Sequence, residues 1–343
     1  MTLLSACDAD LEIAAVALRD GCLVAFPTET VYGLGADAFN PRALARVFEA
    51  KGRPRFDPLI VHIAALEDIS RVARPEILPS ESRARFELFS AEFWPGPLTL
   101  VLPRRAELPD LATSGLPTVA VRFPAHPVAR KIIALSTCAV AAPSANPFGR
   151  LSPTSADHVR NQLGEKADFI VDGGISPVGV ESTVLDLTVD PPRILRPGGV
   201  SREALEALAG TALGGPDNNA GVTAPNSPGM LKSHYAPLTP LLLHGGAEML
   251  RLPREKNTGY LFFSGRSLGL WLARQAPSVG PDRAETPEIR ALSETGSAAD
   301  AAAGLFSALH RMDALGLLCI HAERAPDSGL GRAINDRLER ASC

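Results

Sequence analysis

Cysteine is scarce in this 343-residue chain, and its five copies (Cys7, Cys22, Cys138, Cys319 and Cys343) form no Cys-x-x-Cys pair and no metal-ligand spacing. An odd, scattered set argues against a disulfide framework and fits a reducing cytoplasm. No hydrophobic run approaches the length of a membrane span. Leu3-Leu4-Ser5-Ala6-Cys7 has the outline of a lipoprotein cleavage box, but it lacks a basic lead and a long apolar stretch, and acids follow at once. The usual phosphate, zinc-protease and serine-hydrolase signatures (G-x-x-x-x-G-K-[ST], H-E-x-x-H, G-x-S-x-G) are missing, as are internal repeats. A nucleotide would therefore need another kind of cradle. The net charge of −4 argues against a dominant nucleic-acid or anionic-membrane footprint. Lysine is rarer still, with five copies against 29 arginines.

What is present is enough apolar residue, 45%, to bury a full core, and the length leads to an expectation of two domains. The first ~210 residues alternate short strands and capped helices, the pattern of an α/β fold with an open sheet. Strands are expected at Cys22 to Phe26, Leu59 to Ile63, Thr118 to Phe123, Cys138 to Ala142, Phe169 to Asp172, Ser182 to Leu187 and Arg193 to Leu195. Asn40 as N-cap, Pro41 at the first helical position and Gly52 as a stop define one helix. They put Lys51 in its last turn and Arg53 just beyond. Ser152 to Ser155 opens a further helix reaching Leu163, whose N-terminus offers a phosphate seat.

Polar and cationic groups gather where these apolar runs end: Pro27-Thr28-Glu29-Thr30, Lys51-Gly52-Arg53, Ser144-Ala145-Asn146 and Arg196-Pro197-Gly198. That is how an open α/β sheet builds a pocket along one rim. Each member also has a plainer role. Lys51 can serve only the helix dipole. His62 can be a hydrogen-bonded structural residue at a strand end. Arg122, on the strand face of Thr118 and Ala120, needs either an internal carboxylate or a bound anion, and the anion is the favoured expectation. Both Lys51 and Arg53 are expected at an exposed helix end.

Residues 210–237 read as a linker rich in Gly, Pro and Asn, ending in Ser233-His234-Tyr235-Ala236-Pro237. From about Leu238 a second, smaller α/β pattern follows, with strands at Leu241–His244, Tyr260–Phe263 and Leu317–His321 and an Ala-rich helix over 298–313 capped by Ser297. The organisation expected is thus 1–209, a linker or lid at 210–237, and a Rossmann-like 238–343.

In their order these motifs are specific. Pro27 to Gly35, Lys51-Gly52-Arg53-Pro54, Pro58-Leu59-Ile60-Val61-His62 and Ser144-Ala145-Asn146 resemble the YrdC/Sua5 family, and the linker signatures with the second domain resemble its longer Sua5 type. The resemblance spans essentially the whole chain. It implies an L-threonylcarbamoyladenylate synthase, combining L-threonine, bicarbonate and ATP into threonylcarbamoyl-AMP and pyrophosphate. Magnesium would ride on the polyphosphate, and the product would feed the tRNA threonylcarbamoyl-transfer machinery that modifies adenosine 37. By the same resemblance, threonine contacts Thr30, His62, Arg122, Ser182 and backbone near Ala142. ATP contacts Arg53, Asp57, Thr118, Ser144, Ser152, Arg196 and Tyr235, while Lys51, Arg53 and Asn146 lie in the reaction centre. The linker is expected to fold over the pocket as a lid.

The family usually has Asn where this chain has Asp57. A carboxylate beside a triphosphate repels it unless a metal bridges the two or the side chain turns away. Two other classes fit less well: an RNA-binding module, disfavoured by the acidic charge and the lack of an aromatic-plus-basic stripe, and a hydrogenase-maturation carbamoyltransferase, disfavoured by the lack of Cys-x-x-Cys fingers.

Overall fold

The computed structural model describes residues 1–215, 235–275 and 287–342. They fall into two compact units, one within Met1–Phe148 and Ser152–Met230, the other within Gly149–Leu151 and Leu231–Cys343. Most of the expected linker, including Ser227-Pro228-Gly229-Met230 and His234, lies outside the described residues.

The first unit is built on a ten-stranded sheet. Its strands are β1 (Thr2–Ser5), β2 (Val24–Phe26), β3 (Gly33–Asp37), β4 (Ile60–His62), β5 (Leu98–Pro103), β6 (Thr118–Arg122), β7 (Val140–Ala141), β8 (Phe169–Asp172), β9 (Thr183–Asp186) and β10 (Arg193–Arg196). They lie in the order β1-β8-β2-β3-β7-β4-β6-β5-β9-β10. The sheet is mixed: β4 and β6 run parallel, as do β5 and β9, whereas β7 with β4 and β5 with β6 are antiparallel. The residues taken for a lipoprotein-like box form β1 and the residue preceding the helix Asp8–Arg19.

One sheet face carries the main core. Leu59, Val61, Leu98, Leu100, Val119, Val121 and Leu185 pack there with Leu44, Val47 and Phe48 of the helix Pro41–Lys51 and Phe86 and Phe89 of the helix Ser80–Phe93. Period-two alternation then sends Ile60, His62, Ala120, Arg122, Thr99 and Val101 to the opposite face. There the helices Asp8–Arg19 and Pro127–Ser136 pack on Val24, Phe26, Val140, Ala142 and Val171. The same face continues over β4, β6, β5, β9 and β10 as a small cluster of Ile60, Val101, Ala120, Val184 and Leu195, flanked by polar side chains.

Local sequence sets the helix that aims Lys51. The Asn40 side chain accepts from the Arg42 and Ala43 N–H groups, Pro41 follows, and Gly52 ends the helix at φ 62°, where a side chain would be strained.

The second unit holds a four-stranded, wholly parallel sheet: β11 (Leu241–His244), β12 (Thr258–Ser264), β13 (Glu288–Ser293) and β14 (Cys319–Glu323), in the order β11-β14-β12-β13. Parallel strands with intervening helices agree with the Rossmann-like α/β pattern expected. Ser297 caps the helix Ala298–Asp313 by accepting from the Asp300 N–H.

Candidate active site

The polar residues of β4, β6 and β5 meet because their registers align. His62 pairs with Arg122, and Arg122 with Thr99, so the three sit side by side on one face. Arg122 donates to the Thr30 hydroxyl at 2.8 Å and to the Gly96 carbonyl at 3.3 Å, and forms an ion pair with Glu29 at 2.6 Å. Thr30 shares a 2.8 Å hydrogen bond with Thr28, whose hydroxyl donates to the Val31 carbonyl. The anion expected opposite Arg122 is thus, in this structure, an internal carboxylate. Burial alone would raise the Glu29 carboxyl, but the charge and hydrogen bonding of Arg122 outweigh it and hold Glu29 below the ordinary range. Burial, reinforced by the Arg122 charge, pushes His62 down to about 3, so its ring is neutral at physiological pH. Its Nδ1 lies 3.2 Å from the Ile60 carbonyl.

Beside this group, the Ser182 hydroxyl shares a 2.7 Å hydrogen bond with Thr99. Arg196 reaches back to Ser182, donating from Nη2 to its carbonyl at 2.9 Å and to its hydroxyl at 3.2 Å. The approach depends on Gly198, where a Cβ would sit 2.3 Å from the Glu181 carbonyl oxygen and 2.4 Å from the Thr183 nitrogen. Ser152 donates to Glu181 at 2.5 Å.

Lys51 is bolted to the Ser144–Phe148 loop. Its Nζ donates to the Ser144 and Asn146 carbonyls at 2.7 and 2.5 Å, and its own carbonyl accepts from the Phe148 N–H at 2.7 Å. That loop is tied to the first motif through the Ala145 N–H, which donates to the Tyr32 carbonyl at 2.8 Å, and a β-bridge joins Gly33 to Ser144. Burial, with the Arg53 charge adding to it, lowers Lys51 well below the usual lysine range. Arg53 pairs with Asp57 at 2.9 Å and donates to the Asp57 and Pro58 carbonyls. The expectation of an exposed helix end is corrected here: Lys51 and Arg53 are only 3% and 7% exposed. The turn after Gly52 folds back, and the neighbouring carbonyls and Asp57 satisfy both cations.

Thirteen of the fourteen expected site residues lie in the first unit. Thr118 opens β6 on the Arg122 face, half-buried, and Ala142 is buried, its N–H donating to the Ile60 carbonyl at 3.0 Å. Tyr235 belongs to the second unit, where its buried ring packs against Phe306 at 5.8 Å and under the Arg337 guanidinium at 5.0 Å. Sequence reasoning missed Glu29, Thr99 and Glu181 as partners. Glu29 and Glu181 stood inside or beside quoted motifs, but Thr99 lay in a strand the sequence pattern had not revealed.

Buried cations and aligned hydroxyls, brought together on one face of a mixed sheet, define an α/β protein with a polar, cation-rich candidate site. Residues 16–198 match the Sua5/YciO/YrdC profile described as "Telomere recombination", and 200–343 match "Threonylcarbamoyl-AMP synthase, C-terminal domain". The chain belongs to this Sua5 family of threonylcarbamoyl-AMP synthases. It is 43% identical over 334 residues to the threonylcarbamoyl-AMP synthase of Pyrococcus abyssi, covering 97% of this chain and 94% of that one. It is 43% identical over 346 residues to the enzyme of the same name in Bacillus subtilis, covering 99% and 94%. Among solved structures, P. abyssi Sua5 complexed with L-threonine aligns with TM-score 0.86 and 39% identity, covering 100% of this chain and 98% of that one.

Proposed function

We propose that this chain makes threonylcarbamoyl-AMP from L-threonine, bicarbonate and ATP, with release of pyrophosphate, in support of tRNA threonylcarbamoylation. The observation that carries the reading is the convergence of four sequence-distant motifs. Arg122 meets Thr30, Lys51 meets Ser144 and Asn146, and Arg196 meets Ser182. Thr30, His62, Arg122, Ser182 and the Ala142 backbone take threonine. Arg122 suits its carboxylate; the hydroxyls of Thr30 and Ser182 suit its side chain. Neutral His62 accepts or donates one hydrogen bond without adding charge beside the amine, which must be unprotonated to capture carbon dioxide or activated bicarbonate.

The carbamate oxygen then attacks the α-phosphorus and pyrophosphate leaves. Every participant is anionic, so the chain's task is to bring like charges together and stabilise the charge growing on phosphate. Lys51, Arg53 and Arg196 supply that, with Thr118, Ser144, Ser152 and Asn146 orienting the nucleotide. The contact of Tyr235 with ATP is carried by the family resemblance alone. Magnesium would enter on the polyphosphate: among the described residues no group of three or more His, Cys, Asp or Glu could hold a metal ion. A cytoplasmic location accords with the chemistry, and no helix among the described residues is long and apolar enough to cross a membrane.

The test is to supply ATP, magnesium, bicarbonate and either L-threonine or its near-isostere L-valine, and to quantify adenylate and pyrophosphate. A site built to hydrogen-bond a hydroxyl rejects the analogue lacking it by a large factor, up to about 10⁴–10⁵. Equal adenylate formation with valine would contradict the assignment.

A further inference from the structure

Asp57 is an acid buried among cations. Its side chain is 1% exposed, its Oδ2 lies 2.9 Å from Arg53 Nη2, and neither carboxylate oxygen has an aligned hydrogen-bond donor. The charged groups that bear on it are Arg53 from its own loop, Lys51 from the end of the helix Pro41–Lys51, and Arg196 from β10. These are the cations assigned above to the polyphosphate. Two anions cannot share them cheaply, because like charges a few ångströms apart repel strongly in a partly desolvated site.

We propose that Asp57 is a proton-exchanging counter-ion, which neutralises Arg53 before nucleotide binds and takes up one proton from solvent when the polyphosphate replaces it. The inference rests on the ATP site proposed above. In the balanced step, the Asp57 carboxylate, ATP and one proton give the Asp57 carboxylic acid and a phosphate–Arg53 ion pair. No covalent bond changes apart from the new O–H. The acid form is a hydrogen-bond donor as well as an acceptor, so it can face a phosphate oxygen that the carboxylate would repel. The direction of the Asp57 titration agrees. Burial raises its pKa above the ordinary carboxyl value, with Arg53, Lys51 and Arg196 opposing that rise. Replacing those cations' attention with phosphate raises it further. ATP binding should therefore weaken with pH once Asp57 is ionised in the free protein and still protonated in the complex.

Calorimetric titration of the full chain with ATP alone, in phosphate and in Tris, reads the proton count from the dependence of the heat on buffer ionisation enthalpy. ATP's own ionisation contributes equally to both proteins, so the comparison is with Asp57→Asn, which mimics the neutral acid. Because Asp57 also helps hold the Lys51 proton, the pair is compared again in a Lys51→Arg background, where that position does not titrate. The wild-type chain should take up close to one more proton per ATP than the variant. Its Kd should weaken by up to tenfold per pH unit as pH rises past the point where Asp57 ionises in the free protein, while that of the variant should change by at least severalfold less. ATP binding with the same proton count in both proteins would overturn the role of Asp57 and leave the ATP site standing. No ATP binding to the wild-type chain would overturn the site itself.

Discussion

The Arg122 guanidinium donates to the Thr30 hydroxyl at 2.8 Å across 92 residues of sequence, while Glu29, one residue earlier, closes on the same guanidinium at 2.6 Å. One arginine thus fixes a hydroxyl proposed to contact substrate and pairs with an acid that holds the arginine itself. Arg122→Gln should raise the KM for threonine about 10–150-fold, the worth of one charge-assisted hydrogen bond of about 1.5–3 kcal/mol. It should also destabilise the fold by about 3–5 kcal/mol, because Glu29 is left buried and unpaired. Adding Glu29→Gln should recover part of that stability and none of the threonine affinity. Thermal denaturation and steady-state kinetics on the three variants separate the two effects.

His62 makes the fold acid-sensitive. Its folded-state value of about 3 lies below the ordinary imidazole value of 6.5, so the unfolded chain binds a proton that the folded one refuses. The contribution is intact above pH 6.5 and is lost as pH falls from there towards 3. By linkage the loss relative to neutral pH amounts to roughly 2–3 kcal/mol at pH 4.5. Urea denaturation at pH 7 and pH 4.5 should show a smaller acid loss for His62→Gln than for the wild type. An identical loss would mean the ring is protonated in the folded state.

Lys51 holds the Ser144 and Asn146 carbonyls with one ammonium group. Lys51→Met keeps the length of the side chain and removes the three donors, freeing the loop that positions the nucleotide. Turnover should fall at least about 100-fold, the scale on which single preorganised donors act in a transition state. Near-normal kcat would reduce Lys51 to a helix-end charge.

Tyr235 is sandwiched by Phe306 and Arg337 within the second unit. Tyr235→Ala should therefore destabilise that unit by about 3–5 kcal/mol, as buried aromatic truncations do, seen as earlier proteolysis of residues 235–342. Unchanged stability with weakened ATP binding would instead make nucleotide contact the ring's main role.

The strands that carry the site were legible where apolar and polar residues alternate cleanly, as in Ile60-Val61-His62 and Thr118 to Arg122, and the Asn40 and Gly52 signals bounded the helix that aims Lys51. β3 escaped because two glycines in Gly33–Asp37 dilute its apolar pattern, and β5 because Leu98–Pro103 lies between prolines that read as turn signals. Partnerships across strands were harder. Nothing local tells that Arg122 faces Glu29 rather than a ligand, or that Thr99 meets Ser182, because each depends on the register of β5, β6 and β9. Exposure failed because Lys51 is buried by Ser144–Phe148, distant in sequence, and Arg53 by the turn that brings Asp57 and Pro58 back onto it.

The central claim is that threonine, bicarbonate and ATP are joined on this chain without a covalent intermediate. Incubation with carbon-labelled bicarbonate, L-threonine, ATP and magnesium, followed by rapid chromatography, tests it most directly. The account predicts label in threonylcarbamoyl-AMP together with an equal amount of pyrophosphate, both requiring all three substrates. Release of ADP and phosphate, or of AMP and pyrophosphate with no labelled adduct and no need for threonine, would contradict it.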